Sequence, residues 1–176
     1  ITYSFVSRDL ITKVGQDPAD CYEIVNSISP ELQCFRAEIV PSLLDKVREN
    51  LKAGHRDFLL YEINQVARKS SGLDAGKVPV IKTHLGIVSL SDFYVLKANI
   101  LALFRELKIA VEYRALSSDT AKHHPYLEPK RSAELILNGR VIGAFGEVKL
   151  VVLKRFKLDS TVATFELALD QLVEIP

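Results

Sequence analysis

Methionine and tryptophan are absent from the 176 residues, cysteine appears twice, and long apolar runs are missing. Each shortage removes a class of protein. Two cysteines, Cys21 and Cys34, make neither a disulfide framework nor a metal knuckle, so each is expected to be a small core residue in a reducing compartment. No stretch approaches the roughly 18–20 apolar residues that cross a bilayer, and ITYSFVSRDL carries no basic leader. The expectation is a cytoplasmic protein with no membrane partner. An excess of one sign is missing too. Lys and Arg number 23 against 22 Asp and Glu, and a net +1 makes no whole-chain field for nucleic acid or anionic lipid. The local cluster Lys149, Lys154, Arg155 and Lys157 reads as the solvated face of a short helix. With no methionine and Ile1 in front, the chain is expected to be a segment of a longer protein.

What is present is the balance of an ordinary globular domain, 48% hydrophobic and 26% charged, in a length that suits one domain over 1–176. TYSFV alternates like a strand, and Ser7 can cap a short helix over 8–14 that Gly15 ends. A turn over 16–19, a short strand over 22–25 and a loop, 26-NSISPEL-32, follow. From Glu38 to Ala53 the pattern is helical, with Ile39, Leu43 and Val47 at i+4, Val40, Leu44 and Leu51 beside them, and Pro41 in the first turn. That stripe is wider than one sheet-facing side needs, so part of it is expected to meet another chain. Strands are read over 57–66 and 84–90 with a polar loop between. A strong helix capped by Ser91 runs to Leu107, and a strand over 110–116 leads to the polar bend 117–130. Asn138-Gly139 marks a two-residue hairpin inside 131–148. A helix over 150–156 and a strand over 161–169 close the pattern. The predicted fold class is α+β: a mostly antiparallel sheet with helices packed on one side.

Constellations that carry chemistry are scarce. His123 and His124 are adjacent and point apart on most backbones, and no helical spacing unites Asp119 with Glu128, so no metal site is predicted. Cys34 and His55 lack any orienting or oxyanion signature and are rejected as a nucleophile and base. Gly139, Gly143 and Gly146 lie on a hairpin, not between a strand and a helix, so they make no phosphate cradle; Gly143 and Gly146 mark a bulge or a close approach of another backbone. No catalytic, metal or cofactor-binding residue is assigned.

One string invites a different reading. FRAE, residues 35–38, resembles the Phe-Arg-x-Glu with which class II aminoacyl-tRNA synthetases grip ATP. That chemistry needs a strand-borne arginine and a second arginine from a glycine-rich segment across the nucleotide. Arg36 precedes a helix instead, and no such segment lies downstream. Arg36 is therefore read as a helix-entry residue making local or interface hydrogen bonds.

Longer stretches carry a wider resemblance. 1-ITYSFVS-7, 26-NSISPELQCFRAEIVPSLLDKVRENLKAG-54 and 59-LLYEINQV-66 are similar, in order, to the synthetase-like core of the bacterial phenylalanyl-tRNA synthetase beta subunit. So are 127-LEPKRSAELILNGRVIGAFGEV-148 and 162-VATFELALDQL-172. Departures include Asn26-Ser27 for the family's N-P, Lys130 for a glycine, Lys149-Leu150 after GEV, and Ala168 where the closing strand has an aspartate. The span between the 66–79 loop and the helix at 91 is also shorter than usual. The resemblance implies a class II core that has lost its catalytic motifs. It further implies pairing with the alpha subunit in an (αβ)₂ ligase that uses ATP and magnesium to charge tRNA(Phe). On that reading the expected interface is Arg36, Val40, Pro41, Leu43, Leu44, Val47, Arg48 and Leu51. Two other readings remain at this point: a stand-alone homodimeric regulatory or structural protein, and a free-standing enzyme using Arg36 and Glu38 on ATP.

Overall fold

A computed structural model describes residues 2–27 and 29–173. Ile1 of the opening motif, Ile28 of the 26–32 loop and residues 174–176 lie outside it. The chain runs β1 (Phe5–Val6), α1 (Arg8–Lys13), β2 (Cys34–Phe35), α2 (Val40–Lys52), β3 (Leu59–Ala67), β4 (Ile81–Ser89) and α3 (Phe93–Glu106). It continues through β5 (Glu112–Ala115), α4 (Ser118–His123), β6 (Leu127–Leu137), β7 (Arg140–Val148), α5 (Leu150–Arg155), β8 (Ala163–Ala168) and α6 (Asp170–Val173). Six strands form one antiparallel sheet in the order β3-β4-β8-β7-β6-β5, and β1 and β2 pair separately.

Local chemistry accounts for the element ends. The Ser7 side chain accepts from Leu10 N to start α1. Asn138 and Gly139 take φ of 50° and 77°, the left-handed pair that a two-residue hairpin between β6 and β7 requires. Helix α3 is capped by Asp92, which accepts from Tyr94 N and Val95 N; Ser91, the expected cap, donates instead to Ser89 Oγ. The polar bend expected over 117–130 holds α4 and the start of β6, and the strand expected at 22–25 is reduced to a bridge between Glu23 and Cys34. A β-bulge falls between Leu135 and Ile136, opposite the 141–143 segment, and the Gly143 Cβ position lies 2.4 Å from Glu166 O. The close backbone approach read from the sequence is therefore there.

The helices do not share one side, as the sequence pattern suggested. Gly86, Glu166, Ala144 and Glu134 sit in one row across the sheet and point to one face. A Cβ on Gly86 would fall 2.6 Å from Ile39 Cγ2, so α2 packs on that face and comes close only because residue 86 has no side chain. Phe145, one residue from Ala144, points the other way and stacks on Phe93 at 5.4 Å, so α3 covers the opposite face. Each face of the sheet carries an apolar core. Val40, Leu44, Val47, Val88, Ala144 and Val162 fill one; Leu96, Ile100, Phe104, Leu135, Phe145 and Phe165 fill the other.

Candidate functional site

Arg36 decides what FRAE does. Its side chain is 2% exposed, and the guanidinium donates to Glu62 Oε1 at 3.0 Å, Thr2 Oγ1 at 2.6 Å and Gln65 O at 3.3 Å. Burial pushes the Glu62 carboxyl up, but bonds from Asn64, Thr2 and Arg36 outweigh it and leave it below its ordinary range. The arginine is thus a buried brace between the N-terminal segment and β3. No face of it is open to a phosphate.

The expected interface behaves likewise. Arg36, Val40, Pro41, Leu43, Leu44 and Val47 are buried in the chain's own fold, and Leu51 packs partly buried against the same core. Their apolar side chains are turned toward β4 and its neighbours, which leaves Arg48 exposed and Leu51 partly so. The broad stripe is explained by a helix pressed into a sheet at Gly86, where more of its circumference is covered than a helix resting on side chains would bury.

A concavity of about 580 Å³ lies on the α2 face of the sheet beyond the helix N-terminus. Its floor is β4 and β8, with His84 and Glu166. One wall is α4, ending at His123, with His124 after it, and the other is the β3–β4 loop with Arg68. Glu166 accepts from Ile39 N at 2.9 Å and Val40 N at 3.0 Å, supplying the cap that Ile39 cannot, and lies 2.9 Å from His84 Nδ1. Glu38 binds Arg68, accepts from the Tyr126 hydroxyl at 2.6 Å and lies 3.2 Å from His124 Nδ1. Burial raises the Glu38 carboxyl, but the charges of His124 and Arg68 and the bonds from His124 and Tyr126 pull it down to about 2. Tyr126 moves the other way, raised by burial and by Glu38. Burial, Arg68 and His124 together lower His123, whose Nδ1 lies 3.1 Å from Arg68 Nη1. Glu134 is raised by burial but held down to about 2 by Ser117, Thr120 and Arg114.

The buried carboxylates Glu38, Glu134 and Glu166 are therefore each matched by partners from the fold itself. Among the described residues no group of three or more His, Cys, Asp or Glu is placed to hold a metal ion. Sequence reading passed over Arg68, His84, Glu134 and Glu166 and set aside His123 and His124 as loop residues. The available signal was a charge inside an apolar strand, as in AELIL and TFELAL, since such residues are rarely buried unless paired. Cys34 and His55, rejected above as a nucleophile and base, sit in different settings: Cys34 is buried with Val6, Ile11 and Cys21, and His55 is exposed past α2. Burial and a bond from Cys34 push the Cys21 thiol up to about 12.

A six-stranded antiparallel sheet with a capped helix running from its centre defines a class II synthetase fold. Two solved structures share it: Desulfitobacterium hafniense PylSc, a pyrrolysyl tRNA synthetase, at TM-score 0.74 and 14% identity, and pyrrolysyl-tRNA synthetase from the same organism at 0.73 and 12%. Each match covers 98% of this chain, and 60% and 61% of the respective structures. Residues 1–169 match the family described as the phenylalanyl tRNA synthetase beta chain CLM domain, and the chain belongs to that family. Among curated relatives, the phenylalanine–tRNA ligase beta subunit of Carboxydothermus hydrogenoformans is 29% identical over 98% of this chain, and that of Thermococcus kodakarensis 30% over 90%. The chain spans only 23% and 27% of those two proteins.

Proposed function

We propose that this chain is the non-catalytic, synthetase-like core of a phenylalanine–tRNA ligase beta subunit, and that it holds an alpha subunit in place. Aminoacylation of tRNA(Phe) with ATP and magnesium falls to the assembled enzyme, an (αβ)₂ heterotetramer in the cytoplasm. The observation that carries the non-catalytic reading is the state of the charged groups on the synthetase face. Arg36 is walled in with Glu62, and Glu38, Glu134 and Glu166 brace helix ends and loops, so the residues that could steer a nucleotide hold the fold together instead. Family membership over 1–169 supports the assignment to a beta subunit.

With the α2 stripe turned inward, the surface that fits a partner is β3. This nine-residue strand is an edge of the sheet, and Leu59, Tyr61 and Ile63 stand on its α3-side face at 41%, 69% and 57% exposure. Arg36 occupies the edge at Gln65 and Ala67, and the 59–63 part of the strand, with its exposed apolar row, invites pairing unless another chain covers it. The test is size-exclusion chromatography with light scattering on the full-length beta subunit, with and without its alpha partner. Wild type is expected to form a mixed complex, and Tyr61→Lys with Ile63→Lys to weaken it by about 30-fold or more, the loss of a central apolar anchor. A homodimer indifferent to the alpha subunit would overturn the proposal.

A further inference from the structure

Helices α1, α2 and α5 end near one another, and their last turns line a groove of about 280 Å³ far from the synthetase-face pocket. Its charged lining is lopsided. Five cations, Lys13, Arg48, Lys52, Arg155 and Lys157, meet two acids, Asp45 and Glu49. That lining carries +3 while the whole chain carries +1, so the rest of the chain is at −2. The two acids do little to neutralise the groove, because Lys46 approaches both, at 3.9 Å and 3.3 Å. Lys13 pairs with Asp9 and lies over the Phe156 ring, and Arg155 donates to Thr12 O and Lys13 O, which ties α5 to α1. Arg48, Lys52 and Lys157 are exposed and have no acidic partner among the described residues.

Part of this charge answers the helices themselves. A helix C-terminus carries about half a negative charge, and Lys52 stands in the last turn of α2. Arg48 is one turn further in and Lys157 lies beyond α5, so neither is accounted for in that way. Arg48 and Lys52, at i and i+4, project from one helix face about 6 Å apart, and Lys157 lines the same groove. Three unpaired cations converging on a concave strip, on a chain nearly neutral elsewhere, suit a polyanion of closely spaced charges.

The geometry points to this groove as a contact for the phosphate backbone of the tRNA, an inference that rests on the beta-subunit reading above. The contact is to phosphates alone, so it adds affinity and salt dependence and no base specificity. It also releases Arg48 from the subunit interface and gives α2 a role at its solvent end.

The test uses the assembled ligase with full-length beta subunit carrying Arg48→Glu, Lys52→Glu and Lys157→Glu, and filter binding of tRNA(Phe) across about 50–200 mM salt. The expected result is binding weaker by about tenfold or more and a log–log salt slope shallower by about two to three. Pyrophosphate exchange with phenylalanine, measured without tRNA, stays at the wild-type rate. A control reversing Lys77, Lys108 and Lys130, exposed cations elsewhere, leaves the slope as in wild type. If the glutamate variant fails to assemble, the glutamine versions at the same three positions are read in the same way. Unchanged affinity and slope in an intact complex would overturn the inference, and so would an equal loss in the control. Loss of polyglutamate binding with tRNA binding intact would assign the groove to an acidic protein segment instead. Failure of wild type to assemble with alpha is a separate result, and it would sink the beta-subunit reading itself.

Discussion

Arg36 and Glu38 stand two residues apart in FRAE and are both buried, yet they face different partners. Arg36 reaches Thr2, Glu62 and Gln65; Glu38 reaches Arg68 and Tyr126, 30 and 88 positions away. No local pattern encodes such pairings. For a buried ion pair, removing one partner leaves the other charged and desolvated, so Arg36→Ala is expected to cost about 3–5 kcal/mol in denaturant unfolding. A loss under 1 kcal/mol would mean that Glu62 finds water or another donor. Glu38 makes the protein acid-sensitive in a defined window. Its folded value, about 2, lies below the ordinary 4.5, so its contribution is complete above 4.5 and fades as pH falls toward 2. Glu38→Gln is expected to be less stable at pH 7 and to show a shallower stability decline between those two values. An identical acid limb in both proteins would show that other carboxylates set it.

At the scale of elements, the amphipathic stripe of α2 and the capped start of α1 were open to reading because 3.6-residue periodicity and a serine cap are local properties. What covers the stripe was not. The answer lies in Gly86, on a strand that begins 29 residues beyond the end of α2, since a missing side chain there lets Ile39 sink into the sheet. Gly86→Val therefore lifts the helix start, pulling the Ile39 and Val40 amides away from Glu166. The expected cost is about 1–3 kcal/mol or more, with faster hydrogen exchange in the first turn of α2 as its signature. Unchanged protection of those amides would mean that the sheet yields and the helix does not. The helix cap moved for a local reason: Ser91 and Asp92 are both good caps by composition, but Ser91 donates to Ser89 Oγ two residues back while Asp92 takes the Tyr94 and Val95 amides.

At the scale of the molecule, two helices on opposite faces of the sheet make three layers and leave the β3 edge uncovered on one side. This is why the assembly prediction belongs to Tyr61 and Ile63 rather than to Leu44 and Val47, whose substitution opens the chain's own core. Composition, strand and helix periodicity, the Asn138-Gly139 turn and the ordered run of family stretches determined the α+β class, the hairpin and the synthetase-like lineage, because each depends on neighbours in the chain. The tertiary structure alone decided which face each helix covers, that FRAE is a brace, that α2 turns its stripe inward, and that the ends of α2 and α5 gather unpaired cations into one groove. Those outcomes depend on register and on which distant side chain is absent or charged, and register across a six-stranded sheet is set by packing of the whole molecule.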